Sequence, residues 1–492
     1  MKNSPKKRYS KICNACDSVL LGCNSRFEIV AINFLHVIRG STTTLQRYAY
    51  LFNNELWVSR IIRYHYLFMK NIMSILYNFM RSIFYRTQRF NDTPHNVDFL
   101  FISHFTGVQK GSIYYQDSYF GDMVNQLCQN GKSSVVAYIN HTKNKDVIFQ
   151  KKSGVLSILL SNITSFSNLI KIYQGVFTTH KSLRKGNNSL RSKVVKQARI
   201  SVLSTSTVRN LILANQVGSI IERYSPNCII TTYEGHAWER LMFAVARSIN
   251  PDIKCISYQH VPLFKFQHAI RRNLGRQYNP DVILTSGRVS ATQLKSIDEL
   301  HKVRISVIGS GRNIISESNS LSHPRGFDVV SCLVVPEGTI DECNVLFEFS
   351  LRCAKNNRDI NFIFRLPPMI NINLLIKRNK KFRNLPDNIT ISEVSLLKDI
   401  LRSNVILYRG SSVVIQGVVF GLKPIYLRVN NELTMDPLYE ITDGREIVSS
   451  IEEFEHSLSK NIDTNIKEKL VSYCKDMYTP LDIGVLENVL KN

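Results

Sequence analysis

From residue 97 onward, short apolar runs of strand length alternate with segments whose apolar positions recur at helical spacing. Val97-Asp98-Phe99-Leu100-Phe101-Ile102-Ser103 reads as the first strand. Ser134 to Ile139, Cys228 to Thr232, Ile253 to Tyr258, Asp281 to Thr285 and Ile305 to Ile308 follow, with helices such as Ala237 to Ile249 between them. Strands that are apolar throughout, rather than at every second residue, are buried on both faces, so the pattern predicts a mostly parallel, doubly wound α/β sheet. The Ser- and Asn-rich stretch from Ile314 to Pro324 interrupts it and reads as a linker. A second alternation then begins: strand Val329–Val335, helix Asp341–Ala354, strands Phe362–Leu366 and Asn388–Ile391, helix Ser395–Arg402, strand Val405–Tyr408, helix Ser411–Phe420 and strand Pro424–Leu427. The expected organisation is a first α/β domain over 96–313, a linker over 314–326, a second α/β domain over 327–470 and a helical tail over 471–492 returning toward the first domain. Two such domains enclose a cleft.

Residues 1–95 do not share this alternation and read as a basic, helical N-terminal extension. Within it, Phe68, Ile72, Ile75, Leu76, Phe79 and Ile83 fall on one side of a helix, with Lys70, Ser74, Asn78, Arg81 and Ser82 on the other. Lys70, Asn71, Asn78 and Arg81 rule out a bilayer-spanning segment. The same pattern suits a helix lying in a membrane interface or one docked on the next domain.

Charge divides the chain differently. Of a net +25, residues 327–492 contribute 20 Lys+Arg against 22 Asp+Glu, which leaves +27 on residues 1–326. A positive field of this size draws phosphate-rich partners such as anionic lipid or a lipid-linked acceptor. The basic run from Lys181 to Arg199 belongs to it and reads either as a solvated face or as an anion contact. That run has no interleaved aromatics and no nucleic-acid motif accompanies it, so nucleic acid is not an expected partner. Ten cysteines without a repeated framework predict a reducing compartment, and the Cys13-x2-Cys16 start has no second pair with which to hold zinc. With no secretory signal, the expected location is cytoplasmic, with peripheral contact on the inner face of the cytoplasmic membrane.

Candidate chemistry gathers at strand ends. Val405-Ile406-Leu407-Tyr408-Arg409-Gly410-Ser411-Ser412 runs a buried strand through a glycine to a serine-led helix. Close backbone approach at Gly410, the Ser411 and Ser412 hydroxyls and unpaired helix amides suit a nucleotide phosphate, although serine capping of a helix has the same signature. Val335-Pro336-Glu337-Gly338 and Phe364-Arg365-Leu366-Pro367-Pro368 end neighbouring strands. Glu337 suits a ribose or sugar hydroxyl and Arg365 a departing phosphate. In the first domain Glu234, before Gly235, and His260, after Gln259, also follow strands, and each is a candidate general base.

Glu234-Gly235, Arg365-Leu366-Pro367-Pro368 and Ser411-Ser412 together resemble the acidic-Gly, His-Pro and Ser-Ser/Thr motifs of bacterial sialyltransferases and β-Kdo transferases of GT-B architecture. Gly410-Ser411-Ser412 with Gly421-Leu422-Lys423-Pro424 is similar to surface-carbohydrate proteins of capsule and O-antigen loci. The resemblance spans about residues 97–430. It implies a GT-B fold of two Rossmann-like domains facing a cleft, and an inverting glycosyltransferase moving a sugar, CMP-linked in those relatives, to a glycan or lipid-linked acceptor. Glu234 would be the base, and Ser411 and Ser412 would hold the donor phosphate. The chain departs from the pattern at Pro367, where a histidine is expected, which leaves Arg365 as the substitute cation. Gln259-His260-Val261-Pro262 also looks like the histidine motif of teichoic-acid glycerophosphotransferases, which implies polyol-phosphate transfer with His260 as base. A GT-B-like epimerase or an inactive homologue is the remaining alternative. No Asp-x-Asp occurs, so the expected transfer is metal-independent, with no metal site and no cofactor, the nucleotide-sugar being a substrate.

Overall fold

The computed structural model describes residues 4–22, 26–52, 57–83, 96–108, 114–142, 149, 154–183, 189–311 and 330–491. The expected linker at 314–326 and residues 184–188 of the basic run lie outside them.

Two wholly parallel sheets form the framework. The first contains β1 (Phe99–Phe105), β2 (Ser134–Asn140), β3 (Val155–Leu160), β4 (Cys228–Thr232), β5 (Lys254–Gln259), β6 (Val282–Thr285) and β7 (Arg304–Val307), in the order β3-β2-β1-β4-β5-β6-β7. The second contains β8 (Ser331–Pro336), β9 (Asn361–Phe364), β10 (Ile389–Ile391), β11 (Val405–Arg409), β12 (Lys423–Leu427) and β13 (Glu446–Val448), in the order β10-β9-β8-β11-β12-β13. Each order reverses direction beside its first strand, between β1 and β4 and between β8 and β11. That reversal opens a crevice at the carboxyl ends of the strands. The fold is therefore the expected α/β arrangement of two Rossmann-like doubly wound domains, on strand order and register.

Burial explains why these segments form strands. Residues 228–232 of β4 and 405–409 of β11 are buried throughout, between helices on both faces. The intervening helices start on side-chain caps: Ser165, Ser204, Thr339 and Ser395 each accept a bond from the amide three residues on.

The N-terminal segment does not stand apart from the first domain. Ile12, Cys16, Val19, Ile29 and Leu35 are buried in one cluster with Leu100, Ile229 and Leu241. Burial pushes the Cys13 thiol up to about 12, which suits a packing role. The helix Trp57–Ile83 docks with an unexpected orientation. Ile75 is buried and Phe68, Ile72 and Phe79 pack inward, but so do Asn71, which donates to the Ile200 carbonyl (3.2 Å), and two polar residues expected on the other side, Ser74, which meets Thr205 (2.7 Å), and Asn78, which donates to Tyr173 (3.0 Å). Leu76 and Ile83, expected on the docked face, are exposed.

The two domains are tied by a return crossing. After the helix Thr464–Met477, the Thr479 amide donates to Ser286 (3.0 Å), Ser310 donates to Thr479 (2.9 Å) and Asp482 donates to Ile308 (2.8 Å). The helix Gly484–Lys491 then places Leu486 and Val489 in the first domain's core beside Phe99, Phe101 and Ile230.

Candidate functional site

At the first sheet's reversal, β4 leads into a sharp turn. The Tyr233 amide still pairs with the Tyr258 carbonyl (2.9 Å), and Gly235 then turns with φ +85°. A side chain at Gly235 would strike the Ala269 carbonyl, 2.3 Å from an added Cβ, so only glycine fits. The buried Glu239 carboxylate accepts from the amides of Glu234 (3.0 Å), Gly235 (2.7 Å) and His236 (2.7 Å). Burial and the nearby Glu234 push its pKa up against the pull of these amides. The turn's amides are thus occupied from within, and the loop holds Glu234 rigidly at the sheet edge. Glu234 itself is half-buried, with Arg39 and His236 as electrostatic neighbours.

His104, at the end of β1 across the same reversal, escaped the sequence reading. Its Nδ1 meets His141 Nε2 at 2.8 Å and its Nε2 meets Thr232 Oγ1 at 3.1 Å. Tyr119 and Trp238 pack on the ring at 4.7 and 5.2 Å. Burial, then the neighbouring His141, lower its pKa to about 3, so the ring is neutral near neutrality and serves as a donor-acceptor relay rather than a cation. His260, the other candidate base, follows β5 and is almost fully buried against Tyr119, 5.2 Å between rings. Glu234 and His260 therefore follow adjacent strands, β4 and β5, at one end of the sheet, and His104 lies near the end of β1 on the other side of β4.

The second sheet's reversal lies between β8 and β11. Glu337, just past β8, donates its amide to the Arg409 carbonyl at 3.0 Å. Gly410 has φ +70°, and a Cβ there would come to 3.0 Å from Glu337 Cβ and 3.2 Å from Met435 Cε. Gly410 thus allows the loop to pass directly beneath Glu337. Ser411 is buried and its hydroxyl accepts a long bond (3.4 Å) from Val413. Ser412 precedes the helix Val413–Val419 in a helical conformation, and its hydroxyl makes no capping bond. The two serines thus differ from the serine caps elsewhere in the molecule. No packing demand selects glycine at 338, where an added Cβ would meet nothing within 4 Å.

Arg365 is engaged elsewhere. Its guanidinium turns to the β10 side, donating to the fully buried Asp399 (2.6 Å), to Ser392 (3.3 Å) and to the Val394 carbonyl (2.9 Å). Arg402 holds the other Asp399 oxygen at 2.8 Å. A cation committed to a buried carboxylate is held by it, so Arg365 reads here as a structural partner of β10 rather than as a phosphate ligand. Beneath the Gly410 loop, Arg409 is itself buried. It bonds Glu342 at 2.6 Å and pairs with Glu432, and although burial opposes its charge, these carboxylates hold its pKa above the ordinary value.

Arg39 joins the two edges. It pairs with Glu337 of the second domain, lies over the Phe264 ring at 4.7 Å and has Glu234 of the first domain as an electrostatic neighbour. Burial lowers its pKa, with Glu234 and Glu342 offsetting the effect. The next residue, Gly40, bonds the Phe266 carbonyl (2.5 Å) and approaches Leu433 of the second domain. The arginine lies in the N-terminal segment read as an extension, where no sequence signal joined it to either sheet.

No protein-family model matches the sequence, and no curated protein matches it. Among solved structures, the chain is similar to a glycosyltransferase from Rickettsia africae at 12% identity, over 80% of this chain and 98% of that one, with a TM-score of 0.46. It is also similar to an α,α-trehalose-phosphate synthase (UDP-forming) from Burkholderia vietnamiensis at 10% identity, 81% and 96% coverage and a TM-score of 0.46. A putative UDP-N-acetylglucosamine 2-epimerase from Listeria monocytogenes matches at 11% identity, 78% and 93% coverage and a TM-score of 0.46. At such values these likenesses assign no residue a role, and the fold stands on the strand order alone.

Proposed function

We propose that this chain is an inverting glycosyltransferase of GT-B architecture that moves a sugar from a nucleotide-sugar to a glycan or lipid-linked acceptor. The observation that carries this reading is the bridging of the two sheet reversals by Arg39, which pairs with Glu337 and has Glu234 as its neighbour. In open α/β sheets such reversals are where ligands sit. The nucleotide would lie over Gly410, Ser411 and Ser412, and Arg39 would exchange its pairing with the partly exposed Glu337 for the phosphate, which frees Glu337 for a sugar hydroxyl. Glu234 would take the proton of the acceptor hydroxyl as its oxygen attacks the anomeric carbon, and the C–O bond to the phosphate breaks with the electron pair leaving on the nucleotide. His260 and the neutral His104 would orient the acceptor. Positive charge preorganised beside the leaving phosphate replaces a metal ion in this scheme.

Two results test it. In thermal melts against CMP, CDP, UDP and GDP, one nucleotide should stabilise the protein, by about 2.7 kcal/mol at a hundredfold excess over Kd. Gly410→Val should abolish that shift, because a branched side chain fits neither the φ of +70° nor the space under Glu337. An unresponsive wild type would remove the donor site. Product formation from nucleotide-sugar and acceptor should persist in EDTA, and a loss restored by a divalent ion would reject the metal-independent step. Conversion of the nucleotide-sugar without any acceptor would point to an epimerase instead.

A further inference from the structure

The helix Trp57–Ile83 docks through Phe68, Ile72, Ile75 and Phe79 together with three polar residues. Asn71, Ser74 and Asn78 bond the protein, while Tyr66, Met69, Met73, Leu76, Met80 and Ile83 are each 55% to 65% exposed. These six recur at alternating three- and four-residue steps, so they form one continuous outward stripe along a helix about 40 Å long. Phe79 carries the patch onto the next helix, Phe166–Ser182, through its contact with Phe166 (5.5 Å between rings), and Phe166 and Ile170 of that helix are also exposed. A water-facing stripe of this length is not a solvated surface.

We infer that this face lies in the interface of an anionic lipid bilayer, with the helix parallel to the membrane plane. Charge decides between a bilayer and a second copy of the chain. The helix Trp57–Ile83 contains four Lys/Arg and no Asp or Glu, and the helix Phe166–Ser182 likewise contains Lys171 and Lys181 with no acid. Two such faces would repel each other, whereas Lys70 and Lys171, both exposed, meet opposite charge at a surface of anionic headgroups. The excess of +27 on residues 1–326 adds long-range attraction of the same sign. Tyr66 and Tyr77 suit the headgroup level, and the Met and Leu side chains suit the shallow acyl region. Among the described residues no helix is long and apolar enough to cross a membrane, so the contact is one of lying on the surface.

The test is flotation of the full chain with vesicles of phosphatidylcholine alone or with one-third phosphatidylglycerol. The wild type should float with the anionic vesicles and release as salt is raised. A Met73→Asp/Met80→Asp variant should lose binding by about ten-fold or more, because charge cannot enter the acyl boundary. A Lys70→Glu/Lys171→Glu variant should bind less to anionic vesicles only. All four positions are exposed, so thermal midpoints and turnover on a water-soluble acceptor should stay at wild-type values, which keeps this outcome separate from the catalytic proposal. Flotation of the Met73/Met80 variant equal to wild type would overturn the inference. So would a wild type that ignores vesicles and forms a dimer, by light scattering, that this variant dissolves.

Discussion

Glu234→Gln is expected to lower kcat by about 10²- to 10⁴-fold while leaving the nucleotide-induced thermal shift intact. The amide keeps the shape of the side chain, and the turn that holds it is fixed by Glu239 and Gly235 rather than by the Glu234 carboxylate. Only proton acceptance is removed. Single-turnover rates with saturating donor and acceptor give the comparison, and a variant within a few-fold of wild type would transfer the base assignment to His260. His260→Gln would then show the large loss, a result that also favours the polyol-phosphate alternative.

Arg409→Leu should cost about 3–5 kcal/mol, the largest stability effect expected in the second domain. The substitution takes the arginine counter-ion from Glu342 and Glu432, whose side chains are 6% and 18% exposed. Arg409→Lys should recover part of the loss, since one ammonium serves a single carboxylate better than two. Urea midpoints followed by far-UV circular dichroism would measure the series. Equal midpoints for Leu and wild type would mean that the buried ion pairs contribute nothing net to stability.

Much of the framework was legible because fully buried strands leave little ambiguity. Cys228–Thr232 and the helix Ala237–Ile249 have the bounds read from the sequence, and Val405–Tyr408 extends by one residue to Arg409. Two edge strands were missed. In Val155–Leu160, mostly half-buried, Ser157 splits the five apolar residues, and Glu446–Val448 is three residues long with only Val448 buried, so neither offers an unbroken apolar run of strand length. Position was legible at strand ends: Glu234, His260, Glu337 and Gly410 lie just past β4, β5, β8 and β11, as the sequence pattern placed them. It was not legible where two remote residues meet. Arg39 has no motif, and its pairing with Glu337 exists only because the N-terminal segment packs into the first core. His104 looked like one more residue of a buried strand. Arg365 carried the opposite lesson: the right type at a strand end, committed to Asp399, a carboxylate that sequence spacing did not mark.

The return crossing also orders assembly. Leu486 and Val489 cover the face of the first sheet formed by Phe99, Phe101 and Ile230. During synthesis these strands leave the ribosome long before the helix that covers them, and the second domain must be made in between. The second sheet, whose two faces are covered by buried residues within 332–454 and 333–478, finds these partners within its own stretch of chain. The first waits with an apolar face open, a state in which nascent chains recruit chaperones. Deleting residues 484–491 should therefore impair the domain encoded first, and the earlier strands, not the second sheet, would show the faster amide exchange.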